Sequence, residues 1–171
     1  METWDAIRAR RNVRTYEDRP IAPEHLDRIL EAARRTPSSM NGQPWDFVVC
    51  THRKTLQELA ETWRYAAHVA SSAATVALVA HVPSDRDTRD WSFYDIGQAT
   101  MGMTLAAADL GIGSSHAAVD DQDLARSTIG LPEDRFCVGL LALGYPANRP
   151  LSPIERPDRR PFDEVVHRER W

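Results

Sequence analysis

Phe93-Tyr94-Asp95-Ile96-Gly97-Gln98-Ala99-Thr100-Met101-Gly102-Met103-Thr104-Leu105-Ala106-Ala107-Ala108-Asp109-Leu110 is the stretch on which the fold turns. Only Asp95, Gln98 and Asp109 are strongly polar; alanine, methionine, leucine and glycine dominate the rest. A helix that is apolar on every face must be covered on every face. The chain has 171 residues, the length of one domain. One domain of that size does not wrap such a helix alone, so residues 93–110 read as a helix lying in a subunit interface.

Working outward, Gly111-Ile112-Gly113 ends this helix, Ser114–Val119 reads as a short strand and 121–129 as a short helix before Gly130-Leu131-Pro132. Residues 136–143 form an apolar strand closed by Gly144-Tyr145-Pro146. On the N-terminal side, 84–90 reads as a charged loop and 74–82 as a buried strand. A helix is predicted over 53–70, carrying Leu56, Leu59, Ala60, Trp63 and Ala67, and a strand over 45–50. Residues 23–35 read as a helix with Pro23 near its first position, and 3–11 as a short helix with Thr3 as N-cap. The tail from Pro146 to Trp171 has few apolar residues and six arginines; it forms no core alone and is expected to wrap over something. One domain, 1–171, follows from the length.

Composition narrows the function. Lys plus Arg number 21 and Asp plus Glu 25, a net charge of −4, so no basic field invites nucleic acid. No apolar run reaches the roughly 18–20 residues of a membrane span. The start shows no apolar signal segment, which sets the expectation of a soluble, cytoplasmic protein. Cys50 and Cys137 lie in apolar runs and read as buried, inert thiols. None of the six histidines has a partner at ligand spacing, so no metal site is expected. There is no Gly-x-Ser-x-Gly elbow, no P-loop and no dinucleotide fingerprint.

What remains is arginine clustering in an acidic chain. Arg8, Arg10, Arg11 and Arg14 form one cluster, and Arg156, Arg159 and Arg160 another. Two such clusters either coat the surface or converge on one phosphate, which guanidinium forks suit. Ser38, Ser39, Asn41 and Gln43, between Pro37 and Pro44, form an ordinary polar turn or a set of hydrogen-bonding groups for a heterocycle or polyol.

The order Arg10-Arg11-Asn12-Val13-Arg14, then Pro37-Ser38-Ser39-Met40-Asn41-Gly42-Gln43-Pro44-Trp45, resembles the flavin-dependent nitroreductase superfamily. Asp95-Ile96-Gly97-Gln98-Ala99, the run Leu105 to Ser114, and Arg159-Arg160-Pro161-Phe162 continue the likeness across the whole chain. The resemblance implies an α+β fold, a mostly antiparallel sheet flanked by helices, in an intertwined homodimer with a swapped C-terminal tail. It implies one FMN at each of two interface sites and NADH or NADPH as electron donor. Acceptors would be nitroaromatics, quinones or enones; a flavin-binding protein without NAD(P)H turnover is the alternative. Carried onto this sequence, Arg10, Arg11, Asn12 and Arg14 hold the FMN phosphate, with Asn12 where the family more often has serine. Ser38, Ser39, Met40, Asn41 and Gln43 touch the flavin of the other subunit. His116, Ala117 and Ala118 run near its N5 edge, and Arg159 or Arg160 closes over the phosphate. No side chain is expected to act as a catalytic acid or base, since the flavin carries the chemistry. The short segment between Val82 and Phe93 leaves the substrate side open or covered by Trp63–Tyr65.

Overall fold

The computed structural model describes residues 1–171. Its helices are α1 (Thr3–Ala9), α2 (Pro23–Arg34), α3 (Arg53–Ala60), α4 (Arg86–Asp109) and α5 (Gln122–Ile129). Its strands are β1 (Asp46–Cys50), β2 (Ala74–His81), β3 (Gly113–Ala117) and β4 (Arg135–Gly144). They form one sheet in the order β1-β2-β4-β3, antiparallel throughout. The α+β architecture that the family resemblance implies is the one observed.

Helices cover both faces of the sheet. On one side Val76, Leu78, Leu141 and Leu143 pack with Ile29 and Ala33 of α2 and Ile96, Ala99 and Met103 of α4. On the other, Ala77, Val79, Leu140 and Ala142 pack with Leu56 and Leu59 of α3 and Ala125 of α5. This is why β2 is apolar without alternation: Ala74 to Ala80 are buried on both faces.

The two longest departures from the sequence reading are in α4 and α3. α4 begins at Arg86, not near Phe93, because Asp85 caps it: its carboxylate accepts the Thr88 N–H at 2.8 Å. The Arg86–Asp90 pair, 3.5 Å apart, stitches the next turn, so the charged run 84–90 is mostly helix. α3 stops at Ala60 rather than continuing to 70. The Thr62 carbonyl leaves the helical ladder to accept the N–H groups of Asp120 and Asp121, both at 3.0 Å, which docks the start of α5. The chain resumes as a 3₁₀ turn at Ala67–Ser71.

α4 is covered along one stripe that includes Asp95, Ile96, Ala99, Met103 and Ala107, while Phe93, Tyr94 and Met101 stay exposed. The tail is tied down as far as Ile154, whose N–H donates to the Arg8 carbonyl at 3.1 Å. From Glu155 to Trp171 every residue is exposed.

The N-terminal basic segment lies directly on the sheet. α1 ends at Ala9, short of Arg11, with Glu2 rather than Thr3 at its N-cap position; Arg10 (φ −59°, ψ 124°) already turns the chain outward. Val13 then donates to the Ser114 carbonyl at 2.9 Å, and Glu17 to that of Tyr145 at 2.8 Å. Gly113 and Gly144, paired across β3 and β4, make the approach possible. A Cβ on Gly113 would stand 2.5 Å from Val13 Cγ2, and one on Gly144 2.7 Å from the Tyr16 ring. Gly113→Ala should therefore destabilise the protein by about 1–3 kcal/mol, the scale of core overpacking. Val13→Ala added to it should recover part of that loss in a urea melt, and two additive effects would show that the pair does not clash.

Candidate functional site

The last turn of α1 and the returning tail meet over α4. Arg8 donates to Glu155 Oε1 at 2.8 Å and holds the tail against the helix. Between them opens a cleft of about 470 Å³, with Arg10 and Arg159 on its walls and Trp4, Ile7 and Met101 among its apolar lining. The two arginine clusters, distant in sequence, thus share one cavity through Arg10 and Arg159. Arg160 instead pairs with Glu164 within the tail, at 3.4 Å. Arg11 turns away as well: it donates to the Arg149 carbonyl at 2.8 Å and lines a separate small notch.

Arg10 and Arg14 form no ion pair, although nine other arginines of the chain do. Both lie beside β3. Ala117 packs in the layer of α3 and α5, and strand alternation puts Ser115 on its face and His116 on the other. His116 is exposed, with Arg10 near enough to depress its pKa; partial burial is the larger cause. Asn12 pairs with Ser114 by backbone, and Ala118 is exposed just past the strand.

On the opposite face, His68 and Ser115 are buried, and His68 Nε2 and Ser115 Oγ have no hydrogen-bond partner. Burial, then the Arg14 charge, press the His68 imidazole below the usual histidine range. Orphaned buried polar atoms are uncommon and ask for a cause, a ligand among the candidates. Sequence reading missed both residues: His68 sits in the alanine-rich stretch taken for helix.

The polar loop stands apart from this cleft, since none of Ser38, Ser39, Met40, Asn41 and Gln43 lines it. Met40, Asn41 and Gln43 hold left-handed φ values of 50°, 57° and 48°. Such conformations cost on the order of 1–3 kcal/mol each in non-glycine residues and cluster at functional sites. Gln43 N–H donates to Ser38 Oγ at 2.9 Å, and Ser39 N–H to the buried Asp95 carboxylate at 2.9 Å. Met40 is fully exposed. Trp63 and Tyr65 pack edge to face at 5.0 Å between ring centres.

Cys50 and Cys137 are buried, their thiols pushed up to about 11 by burial, which leaves them unreactive. No three His, Cys, Asp or Glu side chains gather as a metal set, and no helix is long and apolar enough to cross a membrane.

The sequence profile of the Nitroreductase family matches residues 7–74 and 57–145. A protein of Archaeoglobus fulgidus with the provisional name NADH dehydrogenase/NAD(P)H nitroreductase is 31% identical over 99% of both chains. A Bacillus subtilis protein named FMN reductase [NAD(P)H] is 28% identical over 99% of this chain and 74% of its own. Among solved structures, NfrA1 of B. megaterium matches with a TM-score of 0.87 at 20% identity, over 97% of this chain and 73% of its own. An FMN-dependent nitroreductase of Clostridium difficile R20291 matches at 0.83 and 21%, over 97% and 98%. These two show the shared fold. The chain belongs to the nitroreductase family, a class of flavoprotein oxidoreductases.

The His68 environment has a consequence for pH. Because its pKa is lower folded than unfolded, the unfolded chain takes up the proton first as pH falls below roughly 6.5. Flavin-free protein should keep its full stability above that pH and lose some toward the folded-state pKa, with His116 adding in the same direction. His68→Gln should flatten this acid limb in urea melts, and an equally steep limb would remove His68 as its source.

Proposed function

We propose that the protein is an FMN-dependent NAD(P)H oxidoreductase of nitroreductase type, acting as a homodimer on small acceptors such as nitroaromatics, quinones or enones. The observation that carries this reading is the pair of guanidiniums, Arg10 and Arg14, without a carboxylate in a chain of 25 acidic residues. Arg159 stands on the same cleft as Arg10. A terminal phosphate dianion suits Arg10 and Arg159 with Asn12 beside them. Arg14, two residues beyond Asn12, adds a further guanidinium without an ion pair to the same basic segment.

When bound, FMN supplies hydride transfer at N5. The chain's own residues bind and orient it: arginines for the phosphate, and backbone at His116, Ala117 and Ala118 along one edge. His116, its pKa lowered by burial and then by Arg10, is neutral at pH 7, so it adds no second positive charge there and can offer a ring N–H to a neighbouring group. The printed names of the B. subtilis and C. difficile relatives, an FMN reductase and an FMN-dependent nitroreductase, support the cofactor. A second copy of the chain accounts for what a single chain leaves bare: Phe93, Tyr94 and Met101 on α4, and the whole tail after Ile154. Ser38, Ser39, Met40, Asn41 and Gln43 then serve the flavin of the partner subunit.

The purified protein should be yellow, and the released chromophore FMN rather than FAD. Arg10→Ala should weaken FMN binding by about 1.5–3 kcal/mol, the scale of a charge-assisted hydrogen bond. An unchanged dissociation constant, read by flavin fluorescence, would remove the phosphate assignment.

The chain has no second phosphate-binding glycine loop, so donor and acceptor use one cleft in turn. Steady-state rates should give parallel double-reciprocal lines as NAD(P)H is varied at several quinone concentrations. Intersecting lines would refute the shared cleft. A flavin that neither NADH nor NADPH bleaches without oxygen would leave a flavin-binding protein lacking nicotinamide turnover.

A further inference from the structure

We infer that Asp95 is a positioning residue: its buried carboxylate holds the Ser39–Gln43 loop in the conformation that meets the flavin. This role rests on the flavin reading above, in which that loop serves the partner's site.

The loop is poorly anchored for its shape. Met40, Asn41 and Gln43 are all left-handed, and Met40, fully exposed, has nothing packed against it. Its other hydrogen bonds are internal: Asn41 N–H to the Ser38 carbonyl, Gly42 N–H to that of Ser39, Gln43 N–H to Ser38 Oγ and Gln43 Nε2 to the Asn41 carbonyl. Such internal bonds move with the loop and do not fix it to the body of the protein. Ser39 N–H to Asp95 Oδ2, at 2.9 Å, is the one hydrogen bond joining residues 39–43 to another element.

Asp95 is equipped for the task. It is 3% exposed, on the rigid middle of α4, where an unpaired carboxylate is costly. Gln98 Nε2 donates to its other oxygen at 3.3 Å and orients the group. No cation pairs with it, so its engagement is with donors that include a backbone amide of the loop. A carboxylate–amide hydrogen bond is stronger than a neutral one, which suits a single tether holding a strained segment. α4 continues from Asp95 to Met101 on the Arg10–Arg159 cleft. One helix therefore sets both the chain's own cleft and the loop offered to the partner.

The test compares Asp95→Leu, which cannot accept the Ser39 N–H, with Asp95→Asn, whose amide oxygen can. Three readouts are needed: the FMN dissociation constant, kcat and KM separately, and limited proteolysis within residues 38–43. Asp95→Leu should raise the FMN dissociation constant at least tenfold and expose the loop to cleavage, while the flavin-free thermal midpoint stays close to wild type. Asp95→Asn should bind within about threefold of wild type with a protected loop. If Asp95→Leu fails to fold, Asp95→Ser, too short to reach the amide, makes the same comparison. Wild-type FMN binding and loop protection in Asp95→Leu would overturn the assignment. So would an Asp95→Asn protein as impaired as Asp95→Leu, because charge rather than the hydrogen bond would then be at work. If the wild-type protein binds no FMN, the flavin reading fails by itself, and the proteolysis comparison still decides whether Asp95 tethers the loop.

Discussion

The close contact of the Val13–Tyr16 segment with the sheet is what the rest of the site depends on. Gly113 and Gly144 face each other across β3 and β4, and neither has room for a side chain. The absence of two β-carbons lets an extended strip of backbone lie flat there, locked by Val13 N–H to Ser114 and by the Tyr16 hydroxyl donating to the Val13 carbonyl at 2.6 Å. Burial raises the Tyr16 phenol pKa far above its ordinary value, so this bond persists at any physiological pH. Arg14 lies within the strip and Arg10 just before it, and both inherit its position. A small packing constraint in the core thus aims two long, flexible, charged side chains that could not aim themselves.

Much of the fold was legible because burial writes periodicity. β2 and β4 are apolar without a break because helices cover both faces, and α2 shows the 3-4 spacing of a helix covered on one side. The errors fall where tertiary hydrogen bonds overrule local pattern. Nothing around Thr62 announces that its carbonyl is taken by Asp120 and Asp121, so the local pattern continues as a helix past the point where the chain leaves it. The start of α4 was hidden for the opposite reason: Asp85 to Asp90 is charged enough to look like a loop, yet an Asp–Thr cap and an i,i+4 pair are helix signals.

The site was legible in its charges and less so in its neutral polar groups. A cluster of arginines in an acidic chain is a visible anomaly, but sequence could not say that Arg11 and Arg160 find partners of their own while Arg10 and Arg159 share a cleft. Those differences are set by where the tail crosses α1, a contact about 145 residues long in sequence, as the Arg8–Glu155 separation of 147 shows. His68 was invisible in another way. A lone histidine among alanines carries no spacing signal; it becomes notable only once burial and the missing partner at Nε2 are known.

The exposed and strained features of the chain share one property: each is unfinished within a single copy. The tail after Ile154 stays exposed along its whole length, α4 keeps Phe93, Tyr94 and Met101 bare, and the 38–43 loop holds a costly backbone shape away from its own cleft. Strain and bare apolar surface both raise the free energy of the isolated chain. The proposed two-fold assembly would offset both at once, because an isologous contact supplies every patch with its complement in duplicate. On that reading, folding of the subunit stops short of building the flavin site, and association completes it. Cofactor binding and dimerisation then stabilise one another through the same residues, so neither should be expected to survive long without the other.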